Sequence, residues 1–288
     1  MKKNSVSVVV PNYNYAQYLP KRLKTIIEQT RSIDELIILD DGSTDNSREV
    51  IRGEVEKIKL KHPEIKIKTD LSEKNSGGVF KQWAKGFKMA TGEFIWIAEV
   101  DDVCSKKFLE NVMRGFSDFE VVMSYCESMR IDKWGLVRRL DLRGWADYKF
   151  DGHWDKDYIN DGKDELANYL VINCTIPNVS AVVFKNRKDI DFQGILDKSQ
   201  KFKLAGDWYF YSEILKFGKI AYCAKSLNRH RVHNNSVTNK TDNLRHYQEM
   251  LRIQEKVMND VKVDQKTKKV IEEHNAWFRK EWRLGLAK

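Results

Sequence analysis

Short apolar runs alternate with amphipathic stretches through the first third of the chain. The runs, each typical of a buried strand, lie at 6–10, 36–39, 65–68 and 94–98. Helical patterns lie between them at 19–28 and 79–89, and a third runs from an N-cap at Ser43 or Thr44 to about residue 62. This alternation is typical of βα units, and it predicts an α/β fold with a mostly parallel sheet flanked by helices.

The pattern is looser after residue 102. Helices are predicted at 108–116 and 207–217 and strands at 121–125, 179–184 and 220–223, whereas 130–160 has no clear period. From about residue 244, apolar side chains recur at helical spacing in two segments; the first carries Tyr247, Met250, Leu251, Val257 and Val261, and the second Ile271, Trp277, Phe278 and Trp282. These helices can pack back on the domain or on a second subunit, as in a homodimer, or lie on an acidic membrane surface.

Composition narrows the class of protein. A chain of 288 residues can bury a substantial core, and its net charge of +9 favours an anionic partner. It contains neither a signal-peptide pattern nor an apolar run long enough to span a membrane, so a cytoplasmic protein is expected. The four cysteines are scattered without a Cys-x-x-Cys pair, which disfavours a disulfide framework or a structural zinc site.

Polar side chains follow three of the predicted strands at the point where each strand ends. Glu99, Asp101 and Asp102 come directly after the run 94–98, and the stretches 11–14 and 40–45 follow the first two strands. Parallel strands bring such ends to one edge of a sheet, where α/β proteins bind ligands. Clustered carboxylates there suit Mg²⁺ or Mn²⁺ carrying a phosphorylated substrate. An acidic loop with Asp102 as the N-cap of the next helix is the alternative.

Several of these stretches together resemble the family 2 glycosyltransferases of the GT-A fold, across most of residues 5–238. The motifs are VVVPNYNYAQYL, ELIILDDGSTDNS, NSGGVFKQWAKGF, GEFIWIAEVDD, IPNVSAVVF, AGDWYFY and RHRVHNNSVT. The resemblance implies a GT-A domain over 1–238, with a nucleotide-binding half at 1–102 and an acceptor and catalytic half at 103–238. Residues 239–288 would form a helical C-terminal extension.

The resemblance also implies roles for individual residues near the donor. Pro11 and Tyr13 would line the base site, Asp41 would accept a hydrogen bond from a base ring N–H, and Lys81 and Arg231 would neutralise the diphosphate. Glu99 stands where most relatives have the first Asp of a DxD motif and would contact ribose or metal. Asp101, Asp102 and His233 would hold Mn²⁺ or Mg²⁺.

The acceptor side of the implied site centres on Asp207. In an inverting transfer the acceptor hydroxyl attacks the anomeric carbon opposite the leaving nucleotide, so a carboxylate must take its proton there. Gly206-Asp207-Trp208 matches the family position of this base, and Asp207 can also serve as a helix N-cap. Asn178 and Trp208 would lie near the sugar and the acceptor, although Asn178 also suits a turn.

The implied activity is hexosyl transfer from a UDP or dTDP sugar to a glycan or lipid-linked acceptor in bacterial surface polysaccharide synthesis. Missing membrane spans and a missing Gln-x-x-Arg-Trp motif disfavour a processive synthase. No Gly-x-Gly-x-x-Gly follows the first strand, which disfavours dinucleotide binding, and no Gly-rich triphosphate loop is there for a sugar nucleotidyltransferase. Nucleic acid is not expected as a partner. A catalytically silent scaffold and a basic nucleic-acid-binding protein remain the alternatives.

Overall fold

A single mixed sheet organises the molecule. The structure, a computed structural model, describes residues 4–147, 149, 151–233 and 242–284. The strands in that part of the chain are β1 (Val6–Asn12), β2 (Glu35–Asp41), β3 (Lys66–Ser72), β4 (Phe94–Ile97), β5 (Val103–Cys104), β6 (Val121–Ile131), β7 (Val137–Arg139), β8 (Tyr158–Asn160), β9 (Val182–Lys185) and β10 (Lys219–Arg231).

The strand order is β3-β2-β1-β4-β9-β6-β10-β5, with β7 beside β6 and β8 beside β10. Strands β3, β2, β1 and β4 are parallel to one another, β9 is antiparallel to both of its neighbours, and β6 is parallel to β10. β1, β2 and β4 are buried along their whole lengths, as expected for strands covered on both faces. The predicted α/β fold with a mostly parallel sheet is confirmed.

Helices cover both faces of this sheet. They are α1 (Leu19–Ile27), α2 (Ser47–Lys61), α3 (Val79–Met89), α4 (Phe108–Val112), α5 (Arg143–Ala146), α6 (Gly162–Glu165), α7 (Phe192–Ser199), α8 (Gly206–Ile214), α9 (Asn243–Asp260) and α10 (Gln265–Glu281). Shorter helical turns continue α4, α6 and α8 at 113–117, 166–170 and 215–217. The predicted bounds of α3 are confirmed at both ends.

The predicted N-cap of α2 is wrong. The helix begins at Ser47, and the Asp45 carboxylate accepts the N–H of Ser47 at 2.9 Å. The Ser43 hydroxyl instead donates to the Asp40 carboxylate at 2.6 Å and accepts the N–H of Asn14 at 2.9 Å. Ser43 therefore ties the end of β2 to the loop after β1 rather than starting a helix.

Strands β6 and β10 are much longer than predicted. β10 runs on to Arg231 and pairs with β6 through register shifts between Cys223 and Ser226 and between Ser226 and Asn228. Such bulges break the alternation of side chains by which a strand is recognised. Residues 179–181, predicted as strand, form a helical turn capped by Asn178.

Helices α9 and α10 pack back on the domain. Tyr247, Ile253, Ile271 and Phe278 are buried in the same apolar cluster as Trp83 on α3. Two side chains of the predicted apolar stripe, Leu251 and Trp277, are exposed instead. In the part of the chain that the structure describes, no helix is both long and apolar enough to cross a bilayer.

Candidate active site

Asp102 is a buried structural anchor. Its carboxylate accepts the Arg231 backbone N–H and the Asn178 amide, both at 2.8 Å. Burial opposes ionisation, but the hydrogen bond and charge of His230 outweigh it and lower the pKa of Asp102 to about 2. The alternative of an N-cap is wrong, since β5 follows directly and α4 begins at Phe108. Because Asp102 is buried and both of its oxygens already accept hydrogen bonds, it is less accessible to a metal ion than Asp101.

Asp101 and His233 are better placed than Asp102 to bind a metal ion. Asp101 is partly exposed, and its Oδ2 lies 3.0 Å from His233 Nε2. The rings of Tyr15 and Tyr18 lie 5.4 and 5.9 Å from the imidazole. A carboxylate oxygen and an imidazole nitrogen are both ligands of Mn²⁺, and sites for Mg²⁺ and phosphates use few protein ligands. Among the described residues no group of three or more His, Cys, Asp or Glu side chains could form a closed metal site.

The Glu99 side chain points toward α3. Its Oε1 accepts the indole N–H of Trp83 at 2.9 Å, and its backbone N–H donates to the Ser180 hydroxyl at 3.0 Å. Burial, followed by the charge of Asp101, raises the pKa of Glu99 to about 8. Protonation of this carboxyl is therefore favoured more strongly than in an exposed glutamate. The longer side chain reaches Trp83, a contact that the sequence did not indicate.

The loops after β1, β2 and β3 form the predicted nucleotide side. Asp41 is buried and accepts the backbone N–H and hydroxyl of Ser76, both at 2.9 Å, and the Gln82 amide at 2.6 Å. These bonds use three of the roughly four acceptor positions of a carboxylate and leave one for a ligand. At Gly42, which has a φ of +73°, a Cβ would lie 2.6 Å from the backbone of Lys74. Because Gly42 has no side chain, the loop after β2 and the loop after β3 can come into contact.

The other residues predicted on the donor side differ in exposure. Pro11 is buried within β1, whereas Tyr13 is exposed in the loop that follows it. Lys81 is exposed at the start of α3, and its ammonium group donates to the Ser76 carbonyl at 2.6 Å. Tyr13 and Lys81 are therefore the accessible members of this group.

Arg231 ties three segments together. Its Nε donates to the Asp101 carbonyl at 2.6 Å, and its Nη1 donates to the Asp132 carbonyl at 2.8 Å. The guanidinium lies over the Tyr18 ring at 4.8 Å from the centroid. Because these donors are bonded to backbone carbonyls, Arg231 holds the acidic loop, residues 99–102, in place. This geometry gives little support to the predicted contact of Arg231 with a diphosphate.

Asp207 lies in the first turn of α8, whose N-cap is Ala205 rather than Asp207. Burial raises the pKa of Asp207 to about 6, although its carboxylate accepts the Trp208 N–H at 2.8 Å. At neutral pH a carboxyl with this pKa is mostly ionised. Such a carboxylate is a stronger base than an exposed one.

Helix α8, which carries Asp207, packs against α3, whose Trp83 is hydrogen-bonded to Glu99. A side chain at Gly206 would overlap the Phe80 ring of α3, so glycine permits the close approach. The charges of Asp207 and Glu99 both raise the pKa of the buried Tyr211 hydroxyl, after burial itself. The two carboxyls therefore both lie within electrostatic range of the Tyr211 hydroxyl.

Two predicted substrate contacts are not supported by the structure. Trp208 is buried, and its indole donates to the Leu170 carbonyl at 2.8 Å. The Asn178 amide group contacts Asp102 and His230, and its oxygen accepts the Ser180 N–H at 2.7 Å. Both side chains hold the protein together and offer no group to a sugar. The sequence also missed the residues that orient the acids: Gln82, Trp83 and His230.

Replacing Asp102 is expected to lower the free energy of unfolding of the protein. Asp102→Ala leaves the Arg231 N–H and the Asn178 amide without acceptors, and each buried donor left unsatisfied costs roughly 1–3 kcal/mol. Urea unfolding measures the difference, with Asp101→Ala as the control that changes stability little. The low pKa of Asp102 adds stability above its unfolded value of about 3.9, and this stability is lost as the pH falls toward about 2. A urea midpoint equal to that of the wild type would contradict this role.

Comparison with known proteins identifies the family of the chain. Residues 7–191, more than half of the chain, match the model of glycosyl transferase family 2. An uncharacterised glycosyltransferase of Nostoc sp. is 38% identical over 118 residues, which cover 41% of this chain and 34% of that relative. The match thus spans about a third of the relative's length.

Two solved structures share the fold. TarS of S. aureus in complex with UDP-GlcNAc superposes with a TM-score of 0.67 at 17% identity, over 98% of this chain and 76% of that one. The mannosyltransferase PcManGT of Pyrobaculum calidifontis, in complex with GDP-Man and Mn²⁺, gives 0.59 at 16% identity, over 98% and 76%. Together with the family match, these likenesses show that the chain belongs to glycosyl transferase family 2 and has the GT-A fold.

Proposed function

We propose that the chain transfers one sugar at a time, with inversion, from a nucleotide-diphosphate sugar of the UDP or dTDP type. The observation that carries the proposal is the Asp101–His233 pair at the carboxyl edge of the sheet, together with Asp207 in the first turn of α8. The family match and the UDP-GlcNAc complex of the TarS fold support a nucleotide sugar as donor.

The donor would bind across the loops after β1, β2 and β3. Asp41 has one acceptor position left for a base ring N–H, a donor that both uracil and thymine offer. Pro11 and Tyr13 would flank the base, and the exposed Lys81 would approach the diphosphate. Glu99, held by Trp83, would contact the ribose as a hydrogen-bond donor while protonated.

Asp101 and His233 would hold Mn²⁺ or Mg²⁺. Such an ion, when bound, supplies a Lewis acid that neutralises charge on a departing diphosphate. The contribution of the chain is to orient these ligands. Arg231 fixes the Asp101 backbone, and Asp102 fixes the backbone of Arg231, so the loop is set before a ligand arrives.

Asp207 would act as the general base. Its carboxylate takes the proton of the acceptor hydroxyl as that oxygen bonds to the anomeric carbon and the bond to the nucleotide breaks. A pKa near 6 leaves Asp207 ionised at neutral pH while keeping it basic enough to share that proton. Direct transfer needs no covalent bond between the sugar and the protein.

The acceptor would be a glycan or a lipid-linked sugar in bacterial surface polysaccharide synthesis, met at the cytoplasmic face of the membrane. The motifs WIAEVDD and VFKQW support this by their resemblance to a subgroup associated with that pathway.

A thermal-shift panel of UDP, dTDP and GDP sugars with and without Mn²⁺ tests the donor site. One nucleotide sugar should raise the melting temperature selectively, and more with Mn²⁺, because a ligand at about 100 times its Kd stabilises by about 2.7 kcal/mol. Asp41→Asn should weaken this donor roughly 10- to 100-fold by losing a charged acceptor. The exposed Asp197→Asn is the control. If no nucleotide sugar stabilises the protein under any condition, the proposal fails.

A further inference from the structure

The segment 131–140, from the last residue of β6 to the residue after β7, exposes a run of apolar side chains. We call it the Trp134 hairpin. Trp134 is 72% exposed, Leu136 59%, Val137 46% and Leu140 72%. Single exposed apolar residues are normal on protein surfaces, but a contiguous group marks an interaction site.

Basic side chains surround these apolar ones. Lys133, Arg138 and Arg139 lie in the hairpin, and Arg130 lies just before it on β6. The Lys133 ammonium is 4.3 Å from the centroid of the Trp134 ring. The one acid in the hairpin, Asp132, pairs with Arg138 at 2.5 Å. The surface is therefore cationic as well as apolar.

The hairpin has a defined shape. The Asp132 carboxylate accepts the N–H groups of Trp134 and Leu136, both at 3.0 Å, and Gly135 takes a φ of +90°. The Asp132 carbonyl also accepts the guanidinium of Arg231, which holds the Asp101 carbonyl on its other side. The exposed side chains thus stand on a preformed turn next to the acidic loop.

We propose that the Trp134 hairpin docks on an anionic lipid bilayer. Trp134, Leu136 and Leu140 would enter the boundary between headgroups and acyl chains, while the cations contact lipid phosphates. Tryptophan and aliphatic side chains framed by Lys and Arg are the composition of membrane-surface segments. The exposed leucines favour a bilayer over a nucleic acid as the partner. A dimer formed through this surface is disfavoured because the two cationic copies would repel each other.

Docking in this way would turn the acidic loop toward the membrane. The orientation would suit a lipid-linked acceptor, and it differs from docking through α9 and α10, which pack on the core. The binding itself does not depend on the proposed transfer reaction.

Sedimentation with vesicles tests the proposal. Wild-type protein should bind vesicles that contain phosphatidylglycerol and should not bind vesicles of phosphatidylcholine alone. Lys133→Gln with Arg139→Gln should weaken binding by roughly 25-fold, because each basic side chain contributes roughly fivefold. Trp134→Ala with Leu136→Ser should weaken it by more than roughly tenfold.

Two control variants remove exposed apolar side chains elsewhere. Trp277→Ala on α10 and Leu60→Ser on the basic end of α2 should bind vesicles as the wild type does. Circular dichroism verifies that each variant is folded. The proposal is overturned if the wild type does not bind anionic vesicles, or if the hairpin variants bind them with the affinity of the wild type. It is also overturned if Trp134→Ala instead converts a dimer to a monomer in analytical ultracentrifugation.

Glu249 on α9 carries a second inference. Its buried carboxylate accepts the backbone N–H groups of Lys203 and Leu204 at 2.9 Å and of Ala205 at 3.2 Å. Burial opposes ionisation, but these N–H groups and Arg245 outweigh it and lower the pKa of Glu249. The C-terminal segment thereby holds the residues that lead into α8.

We infer that Glu249 positions Asp207, an inference that rests on the proposed role of Asp207 as base. Ala205 is the N-cap of α8, and Asp207 follows two residues later, so a shift of this loop displaces the carboxylate. Displacement of a reacting group by about 1 Å can cost 10²-fold in rate.

Kinetics of the variant Glu249→Gln test this. With the nucleotide sugar that stabilises the protein best, kcat should fall by roughly tenfold or more while the donor KM stays unchanged. Glu249→Asp should recover part of kcat, and Glu255→Gln on the exposed face of α9 should match the wild type. If Glu249→Gln keeps full kcat while Asp207→Asn is inactive, the positioning role is wrong. If Asp207→Asn is itself active, the proposed base is wrong instead.

Discussion

Asp207→Asn should lower kcat by about 10²- to 10⁴-fold, the usual loss on removing a positioned general base. The amide keeps the shape of the side chain and can still accept the Trp208 N–H, but it cannot take a proton. Donor binding should be unchanged. Rates of transfer, or of nucleotide-sugar hydrolysis where no acceptor is known, measure the effect, with Asp197→Asn as the control on the exposed face of α7.

The pH dependence sharpens this test. The ionised form of Asp207 is the active base, so the wild-type rate should rise as the pH passes through about 6 and level off above. The variant should lack that rise. Because the pKa is higher in the folded than in the unfolded protein, ionised Asp207 destabilises the fold at neutral pH. Asp207→Asn should therefore be at least as stable as the wild type while inactive. An active variant that retains the rise near pH 6 would exclude Asp207 as the base.

Asp101→Asn should remove the metal-dependent part of the activity. A Lewis acid contributes several kcal/mol to stabilising the developing charge, so kcat/KM should fall by at least roughly 10²-fold. His233→Ala should act in the same direction, since its Nε2 lies 3.0 Å from Asp101 Oδ2. Titration of each variant with Mn²⁺ measures the loss.

The matched control for Asp101→Asn is the neighbouring carboxylate. Asp102→Asn should lose stability in urea because its oxygens hold β10 and Asn178. Asp101→Asn should keep its stability. A protein that binds Mn²⁺ and donor normally without Asp101 would contradict the assignment of the metal site.

The parallel half of the fold could be predicted because its signals are local. Buried strands read as continuous apolar runs, and the strand ends bring the acids to one edge. The bounds of α3 followed from a Gly-rich loop and an amphipathic stretch. The prediction of β10 was too short because bulges break the alternation of its side chains and because its C-terminal part is polar.

At the site, the sequence predicted which loops carry the functional residues, but it did not predict where each side chain points. Asp101 and Asp102 are adjacent and look equivalent in a motif, yet one is partly exposed and the other buried between β10 and Asn178. Trp208 neighbours Asp207, but it lies on the buried side of α8. The bond from Trp83 to Glu99 joins side chains 16 positions apart, and no local pattern encodes it.

Anomalous diffraction at the manganese edge can locate the metal site, on crystals grown with Mn²⁺ and the nucleotide that stabilises the protein best. We expect one strong anomalous peak within bonding distance of Asp101 Oδ2 and His233 Nε2, beside the diphosphate, with Asp207 on the opposite side of the sugar position. A manganese peak away from both side chains, or a nucleotide bound on another face of the sheet, would exclude this site.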